Sequence, residues 1–381
     1  MTSSHLPLKT DKPQAPDYIQ AIAPYVGGKP IEELAREMGI PVEKIVKLAS
    51  NENPLGIPVS AKLAMQAVID DLGRYPDGNA FELKKIISQR LNTPTNWITL
   101  GNGSNDILEL ITRAYLKPTQ SAVFSQYSFV VYGLVTQAVG ADSIVVPAMT
   151  SGTHELGHDL PAMLAAITTD TQIIFIANPN NPTGTFLTAQ QISDFLAQVP
   201  SHIVVVLDEA YNEYLDDNLR FDATQWVKQY PNLVVSRTLS KAYGLAGIRV
   251  GYAIAQAAIT DVLNRIRQPF NVNSLAQAAA IAAIQDDDFL QRSQLINSVG
   301  YTQLTQACER LNLKYIPSKA NFILIHLGEH AQTVNQSLLK QGIIVRPVAS
   351  YGLPNYLRVS IGLDCENAAF ITALETCLSA L

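Results

Sequence analysis

Short runs of Val, Ile and Leu recur through the middle of the chain, separated by stretches in which apolar residues return at helical spacing. Segments 97–100, 121–124, 143–147, 172–177, 202–208, 233–236 and 248–254 read as strands, and several are apolar on both faces. Strands covered by helices on both sides of a mostly parallel sheet read this way. Between them, 160–169 and 188–199 read as helices, and Thr188 with Gln191 forms a capping box at the start of the second. The alternation predicts an α/β layered domain.

Beyond about residue 270 the texture changes. Segment 274–285 and a long stretch running through Arg310 read as helices; three strand-like runs follow at 321–327, 342–348 and 356–362, then a final helix near 365–380. Helices against three strands predict a second, smaller α+β domain. The N-terminal segment is too short to fill a core of its own and is expected to pack on that domain. The expected division is 1–55 as an N-terminal arm and part of the small domain, 56–275 as the large α/β domain, and 276–381 as the small C-terminal α+β domain. A chain of 381 residues, 47% hydrophobic and 16% charged, is large enough for such a pair of cores.

Charge and composition narrow the partners. A net charge of −6, without a basic run or regularly spaced aromatics, argues against nucleic acid and for small soluble molecules. The first residues lack the apolar core of a signal peptide, and no apolar run approaches a membrane span. Cys308, Cys365 and Cys377 lie far apart without redox or metal spacing, which fits a reducing, cytoplasmic setting. The six histidines are scattered, and His154 with His158 sits in a polar loop without an HExxH frame, so both are expected at the surface and no metal is expected.

Four motifs carry chemistry. "GNGSND" (101–106) follows a strand and precedes an apolar helix, so its N–H groups converge either on a phosphate or simply in a capped helix start. "NPNNPTG" (178–184) is a stiff turn after the strand ending at Ala177, and its Asn amides are placed to meet a polar ring substituent. In "VVVLDEAYNEY" (204–214) Asp208 ends an apolar strand, where a carboxylate requires a cationic partner. Glu209 and Glu213 suit solvent better, and Tyr211 is within reach of the Asp208 pocket. "RTLSKAYGLAGIR" (237–249) surrounds Lys241 with Thr238 and Ser240, two glycines that permit close approach to a ligand, and Arg249. Lys241 is either a solvated charge or, with its pKa lowered by the neighbouring cation, a nucleophile toward an aldehyde.

One ligand answers all four motifs. Pyridoxal phosphate offers an aldehyde for Lys241, a phosphate for the helix start and Arg249, a basic ring nitrogen for Asp208, and a phenolic oxygen for Asn181 and Tyr211. Tyr127 either stacks on its ring or is a half-buried aromatic on a helix face.

With these motifs in this order, the chain resembles the fold-type I pyridoxal-phosphate aminotransferases; "RYPDG" (74–78) and "YLRVSIG" (356–362) extend the likeness over nearly the whole sequence. Segments 24–37, 47–56 and 342–362 are similar to the histidinol-phosphate branch of that family. The resemblance implies a three-layer large domain around a mostly parallel sheet and a homodimer with shared active sites. It implies Lys241, Asp208 and Tyr211 as the catalytic set: Lys241 holding the cofactor aldehyde and moving the Cα proton, Asp208 pairing with the ring nitrogen, Tyr211 and Asn181 binding the ring oxygen. Ser104, Asn105, Thr238, Ser240 and Arg249 would hold the phosphate, with Tyr75 reaching it from the partner subunit. Where relatives commonly carry Ser-Asp-Glu, this chain has Ser104-Asn105-Asp106. The implied reaction moves an amino group from histidinol phosphate to a 2-oxo acid, 2-oxoglutarate, within histidine biosynthesis. An aromatic amino acid aminotransferase or a decarboxylase of a phosphorylated amino acid would use the same lysine and aspartate. A transcriptional regulator of this fold would need a DNA-binding domain for which the N-terminal segment has too few residues.

The resemblance implies that Arg358 binds the substrate carboxylate or its reduced counterpart region. A phosphorylated amine needs an anion site besides the cofactor's, and Tyr25 and Arg346 are its candidates. Two arginines on paired strands would clamp a phosphate; otherwise Arg346 meets a surface carboxylate and Arg358 alone binds an ordinary carboxylate.

Overall fold

A computed structural model describes residues 13–24, 27–152 and 154–381; Tyr25 lies outside the described residues. Its strands, in chain order, are β1 (Val46–Leu48), β2 (Ile98–Gly101), β3 (Ser121–Ser125), β4 (Asp142–Val146), β5 (Thr171–Ala177), β6 (Val204–Asp208), β7 (Leu233–Thr238), β8 (Gly251–Ile254), β9 (Tyr315–Ile316), β10 (Phe322–His326), β11 (Ile343–Pro347) and β12 (Tyr356–Ser360).

Seven of them form one sheet in the order β2-β8-β7-β6-β5-β3-β4. Neighbours run parallel except β8, which is antiparallel to both β2 and β7. Because side chains alternate across a strand, the runs that are apolar on both faces feed two cores. Ile174 and Ile176 of β5 and Val205 and Leu207 of β6 face a core shared with helices Phe81–Leu91, Ala189–Leu196 and Ser274–Ile284. Ile173, Phe175, Val204 and Val206 face the other way, against helices Ser104–Tyr115, Val131–Ala138 and Ala257–Ile266. The result is a three-layer α/β sandwich. The capping box read at Thr188 and Gln191 is present, with both reciprocal bonds formed.

The second sheet has five strands, β1-β11-β12-β10-β9, not the three read from sequence. The two additional strands are only three and two residues long, and their pairing is decided by distant partners. β1 lies parallel to β11, so the N-terminal segment is a member of this sheet. The long helix Asp287–Arg310 and the helix Asp364–Ser379 pack on it through Leu304, Cys308, Phe370 and Leu374. Helix Ser274–Ile284 instead buries Ala276, Ala279, Ala280 and Ala283 in the core of the seven-stranded sheet. The run 248–254 becomes strand only at Gly251, because Arg249 adopts a left-handed backbone, φ 62°.

Two expectations about surface residues are corrected. Glu209 and Glu213 are both buried; Glu209 survives there because Arg237, also buried, donates to its Oε2 through Nε at 2.8 Å. His158 is buried rather than exposed, with Nε2 2.9 Å from the Ala177 carbonyl oxygen, since its loop folds back under the end of β5. Among the described residues no helix is long and apolar enough to cross a membrane.

Candidate active site

The carboxyl ends of β5, β6 and β7 lie side by side and open into a cleft of about 930 Å³, mouth included. Parallel strands expose their C-terminal ends at such crevices. The strand-end residues Ala177, Asp208 and Thr238 all line it, and so do Ser104, Asn105, Asn181, Tyr211, Ser240, Lys241, Arg249, Arg346 and Arg358. These residues are scattered over more than half the chain, and the fold brings them together.

One end of the cleft is an anion cradle. Helix Ser104–Tyr115 begins after Gly103, whose φ of 85° only glycine holds without strain. Its first N–H groups have no partner within the helix, and the helix-start residues Ser104 and Asn105 line the cleft. A Cβ at Gly103 would lie 2.5 Å from Arg249 Nη2, and one at Gly251 2.6 Å from the Ser104 backbone nitrogen, so both glycines keep this corner open. Arg249 Nη1 donates to Ser240 Oγ at 3.4 Å and to the Ala246 carbonyl at 3.0 Å. Thr238 Oγ1 accepts from the Ser240 N–H at 3.1 Å.

At the floor, Asp208 is almost wholly buried. Its Oδ2 accepts a hydrogen bond from Tyr132 at 2.9 Å, while Oδ1 has no partner among the described residues. Burial pushes the carboxyl up to about 6; the Tyr132 hydroxyl and the Ala210 N–H pull it down, and Glu209 pushes it up. Lys241 sits opposite, donating from Nζ to the Ser50 carbonyl at 3.0 Å. Burial, and after it the Arg358 guanidinium, lower its amine to about 8, with Arg249 and Lys47 adding to the shift and Glu52 opposing it. An unprotonated lysine is therefore accessible near neutral pH.

The walls are set by polar bonds between the two sheets. Tyr211 Oη accepts from Asn51 Nδ2 at 2.9 Å, and burial raises the phenol to about 12. Asn51 holds φ 54° and is fastened to β12 by its N–H and Oδ1, both bonded to Ser360 Oγ. Asn181 Oδ1 accepts from Arg358 Nη1 at 2.6 Å, and Arg358 Nη2 donates to the Ala49 carbonyl at 2.8 Å. Asn178 and Asn180 donate their amides to the Leu187 and Tyr127 carbonyls, and Asn181 is the asparagine of 178–184 that lines the cleft. Arg346 and Arg358 stand opposite each other on β11 and β12, both at the cleft.

Tyr127 does not line the cleft. Its ring packs with Ile316, Leu324, Val348 and Leu353, and Phe129 takes the place at the cleft wall. The turn after β3 carries Tyr127 away before the helix Val131–Ala138 begins, a detail of chain direction that residue type alone does not reveal. Tyr75 is 83% exposed, stacked on Phe270 with ring centroids 4.8 Å apart, and is not part of this chain's own cleft. Sequence reasoning also passed over Ser50, Asn51 and Tyr132. An i, i+3 aromatic pair at a helix start was the available signal for Phe129 and Tyr132; an Asn in a tight turn was the signal for Asn51.

The comparisons agree with this geometry. Residues 43–374 match the family model "Aminotransferase class I and II". The chain is 60% identical over 369 residues to histidinol-phosphate aminotransferase 1 of Cupriavidus pinatubonensis, covering 96% of this chain and 97% of the relative. It is 60% identical over 367 residues to histidinol-phosphate aminotransferase 2 of Ralstonia nicotianae, with the same coverage. Among solved structures it is similar to the Sinorhizobium meliloti histidinol-phosphate aminotransferase in complex with pyridoxal-5'-phosphate, at TM-score 0.88 and 27% identity, over 97% of this chain and 99% of that one. A lysine, a buried aspartate and an anion cradle in one cleft, on a chain matched to that family over most of its length, identify the protein as a member of the class I and II aminotransferases.

Proposed function

We propose that the protein transfers the amino group of L-histidinol phosphate to 2-oxoglutarate with pyridoxal 5'-phosphate as cofactor, giving imidazole acetol phosphate and L-glutamate, in the cytoplasm and as a homodimer. The carrying observation is that one cleft holds Lys241, an Asp208 Oδ1 without a partner among the described residues, and two arginines on adjacent strands. The residues fit the cofactor. A buried carboxylate oxygen without a partner is costly unless a donor arrives, and a protonated ring nitrogen is such a donor. The cradle at Ser104, Asn105, Thr238, Ser240 and Arg249 suits its phosphate.

When bound, the cofactor supplies an aldehyde that exchanges amines and a protonated ring that takes up electrons from the broken Cα–H bond. Lys241 Nζ, its amine lowered to about 8 and so unprotonated in a useful fraction near neutral pH, is the group that would hold the aldehyde and would serve as the base for the Cα proton. Asp208 Oδ1, without a partner among the described residues, would accept from the ring N–H and favour its protonated form. Tyr211 Oη already accepts from Asn51, so its own proton is directed to the ring oxygen. Asn181 Oδ1 is engaged by Arg358, which leaves the Asn181 amide N–H groups to join Tyr211 there. Phe129, on the cleft wall, would offer an apolar surface to a ring bound there. Arg346 and Arg358, with Tyr25 as a further candidate, hold the substrate phosphate.

The homodimer is supported by the large apolar residues left exposed along segment 59–81: Val59, Leu63, Ile69, Leu72, Tyr75 and Phe81. Tyr75 on that segment would reach the phosphate of a partner's cofactor.

The test compares kcat/KM for histidinol phosphate, histidinol and phenylalanine in the parent and in Arg346→Ala. Losing one arm of the clamp should cost about 2–5 kcal/mol with the phosphorylated amine and far less with phenylalanine. Phenylalanine as the better substrate of the parent, or equal losses on both, rejects the substrate assignment. Carbon dioxide release without a 2-oxo acid acceptor would indicate a decarboxylase instead.

A further inference from the structure

Tyr132 is separated from Asp208 by 76 positions in sequence and belongs to none of the motifs, yet it is the side chain that holds Asp208. It lies on helix Val131–Ala138 and is fully buried. Its ring is stacked on Phe175 of β5, centroids 4.7 Å apart and planes within 4° of parallel. Phe124 and Phe129 meet it edge-on, at 6.2 and 5.9 Å. Three aromatic rings therefore leave the phenol one direction in which to point, toward Asp208 Oδ2 at 2.9 Å. Phe129 lines the cleft, so a single aromatic cluster joins the cleft wall to the support of its buried acid.

We infer that Tyr132 is a positioning residue for amino transfer: its hydroxyl engages Asp208 Oδ2 and thereby turns Oδ1 toward the ring nitrogen of the cofactor. The inference rests on the cofactor reading above. Two physical consequences follow. A phenol that donates to the carboxylate favours its ionised form, opposing the burial that raises the Asp208 pKa. Burial also drives the Tyr132 phenol well above its usual range, so it stays a donor throughout the working pH range. With one oxygen satisfied and the plane of the carboxylate fixed, the other oxygen is left for a single incoming donor, and little rotational freedom is lost when that donor binds.

The experiment uses the full-length protein stripped of cofactor, as parent and Tyr132→Phe, titrated with pyridoxal phosphate and with its deaza analogue, in which C–H replaces the ring nitrogen. Binding is read from the intrinsic fluorescence of Trp97 and Trp226. Tyr132→Phe keeps the stacked ring and removes only the hydroxyl. It should weaken pyridoxal phosphate by about tenfold, the scale of a hydrogen bond to a charged group, and leave the deaza analogue unchanged. On reconstitution its kcat should fall while KM for the amine holds. Phe175→Leu is the control for packing: it should lower the melting temperature and preserve the parent's preference between the two ligands. Equal losses for both ligands in Tyr132→Phe, or none for either, overturn the positioning role. A parent that binds both ligands alike overturns it too, and in that case the assignment of Asp208 to the ring nitrogen fails with it.

Discussion

The Lys241 amine offers the most direct quantitative test of the cleft. Burial and Arg358 bring it from 10.5 to about 8, so at pH 7.5 about a quarter of it is unprotonated, against about one part in a thousand for an ordinary lysine. Capture of pyridoxal phosphate by the stripped protein should therefore run on the order of two hundred times faster than with an unperturbed amine of equal nucleophilicity. Stopped-flow absorbance from pH 6 to 10 should show the rate rising and levelling with a midpoint of about 8. Arg358→Gln removes the largest charge contribution and should move the midpoint upward. The same shift has a stability counterpart. Between the folded value of about 8 and the unfolded value of 10.5 the unfolded chain binds the extra proton, so raising the pH through that window favours the folded state. Relative to Lys241→Met, the stripped parent should gain up to about 3 kcal/mol across it in urea unfolding. A capture midpoint above about 9.5, close to an ordinary lysine, or identical pH slopes for parent and Lys241→Met, would refute the reasoning.

Two further outcomes are expected. Arg237→Met strands the buried Glu209 carboxylate and should destabilise the fold by about 3–5 kcal/mol, while Arg237→Met with Glu209→Leu recovers most of the loss; an unaltered urea midpoint in the single variant would show that the pair is not holding β6 and β7 together. If the proposed homodimer forms through the exposed apolar residues of segment 59–81, Leu63→Glu should shift the sedimenting species from dimer to monomer with loss of turnover, because Tyr75 would no longer reach a partner's cleft; a parent that sediments as a monomer, or a variant that stays a dimer, rejects this interface.

Much of the site was legible because its residues sit where local chemistry is unusual. Asp208 ends a wholly apolar strand, Gly103 opens a helix in a conformation that demands glycine, and Lys241 lies between hydroxyls and close-packed glycines. Each contradicts its surroundings unless a ligand completes it, and that contradiction is visible one residue at a time. The seven strands of the larger sheet and the Thr188 capping box were legible for a related reason: short apolar runs bounded by polar or turn residues, and end caps, are local signals.

What stayed hidden depends on direction and on distant partners. Tyr127 and Phe129 are both aromatic and two positions apart, and only the path of the turn after β3 decides which one reaches the cleft. Glu209 looked like a surface charge because its counter-ion, Arg237, arrives from the neighbouring strand. Tyr132 bonds Asp208, and Asn51 bonds Tyr211, across separations that carry no sequence pattern. The amino-acid sequence by itself determined which elements form, which faces are apolar and which residue types can meet an aldehyde, a phosphate and a basic ring. Tertiary structure alone decided the membership of β1 and β9 in the second sheet, the orientation of the Asp208 carboxylate and the lowering of the Lys241 amine. Hydrogen-bond partnership and desolvation are properties of the packed neighbourhood, and the chain acquires that neighbourhood only when the two sheets close around the cleft.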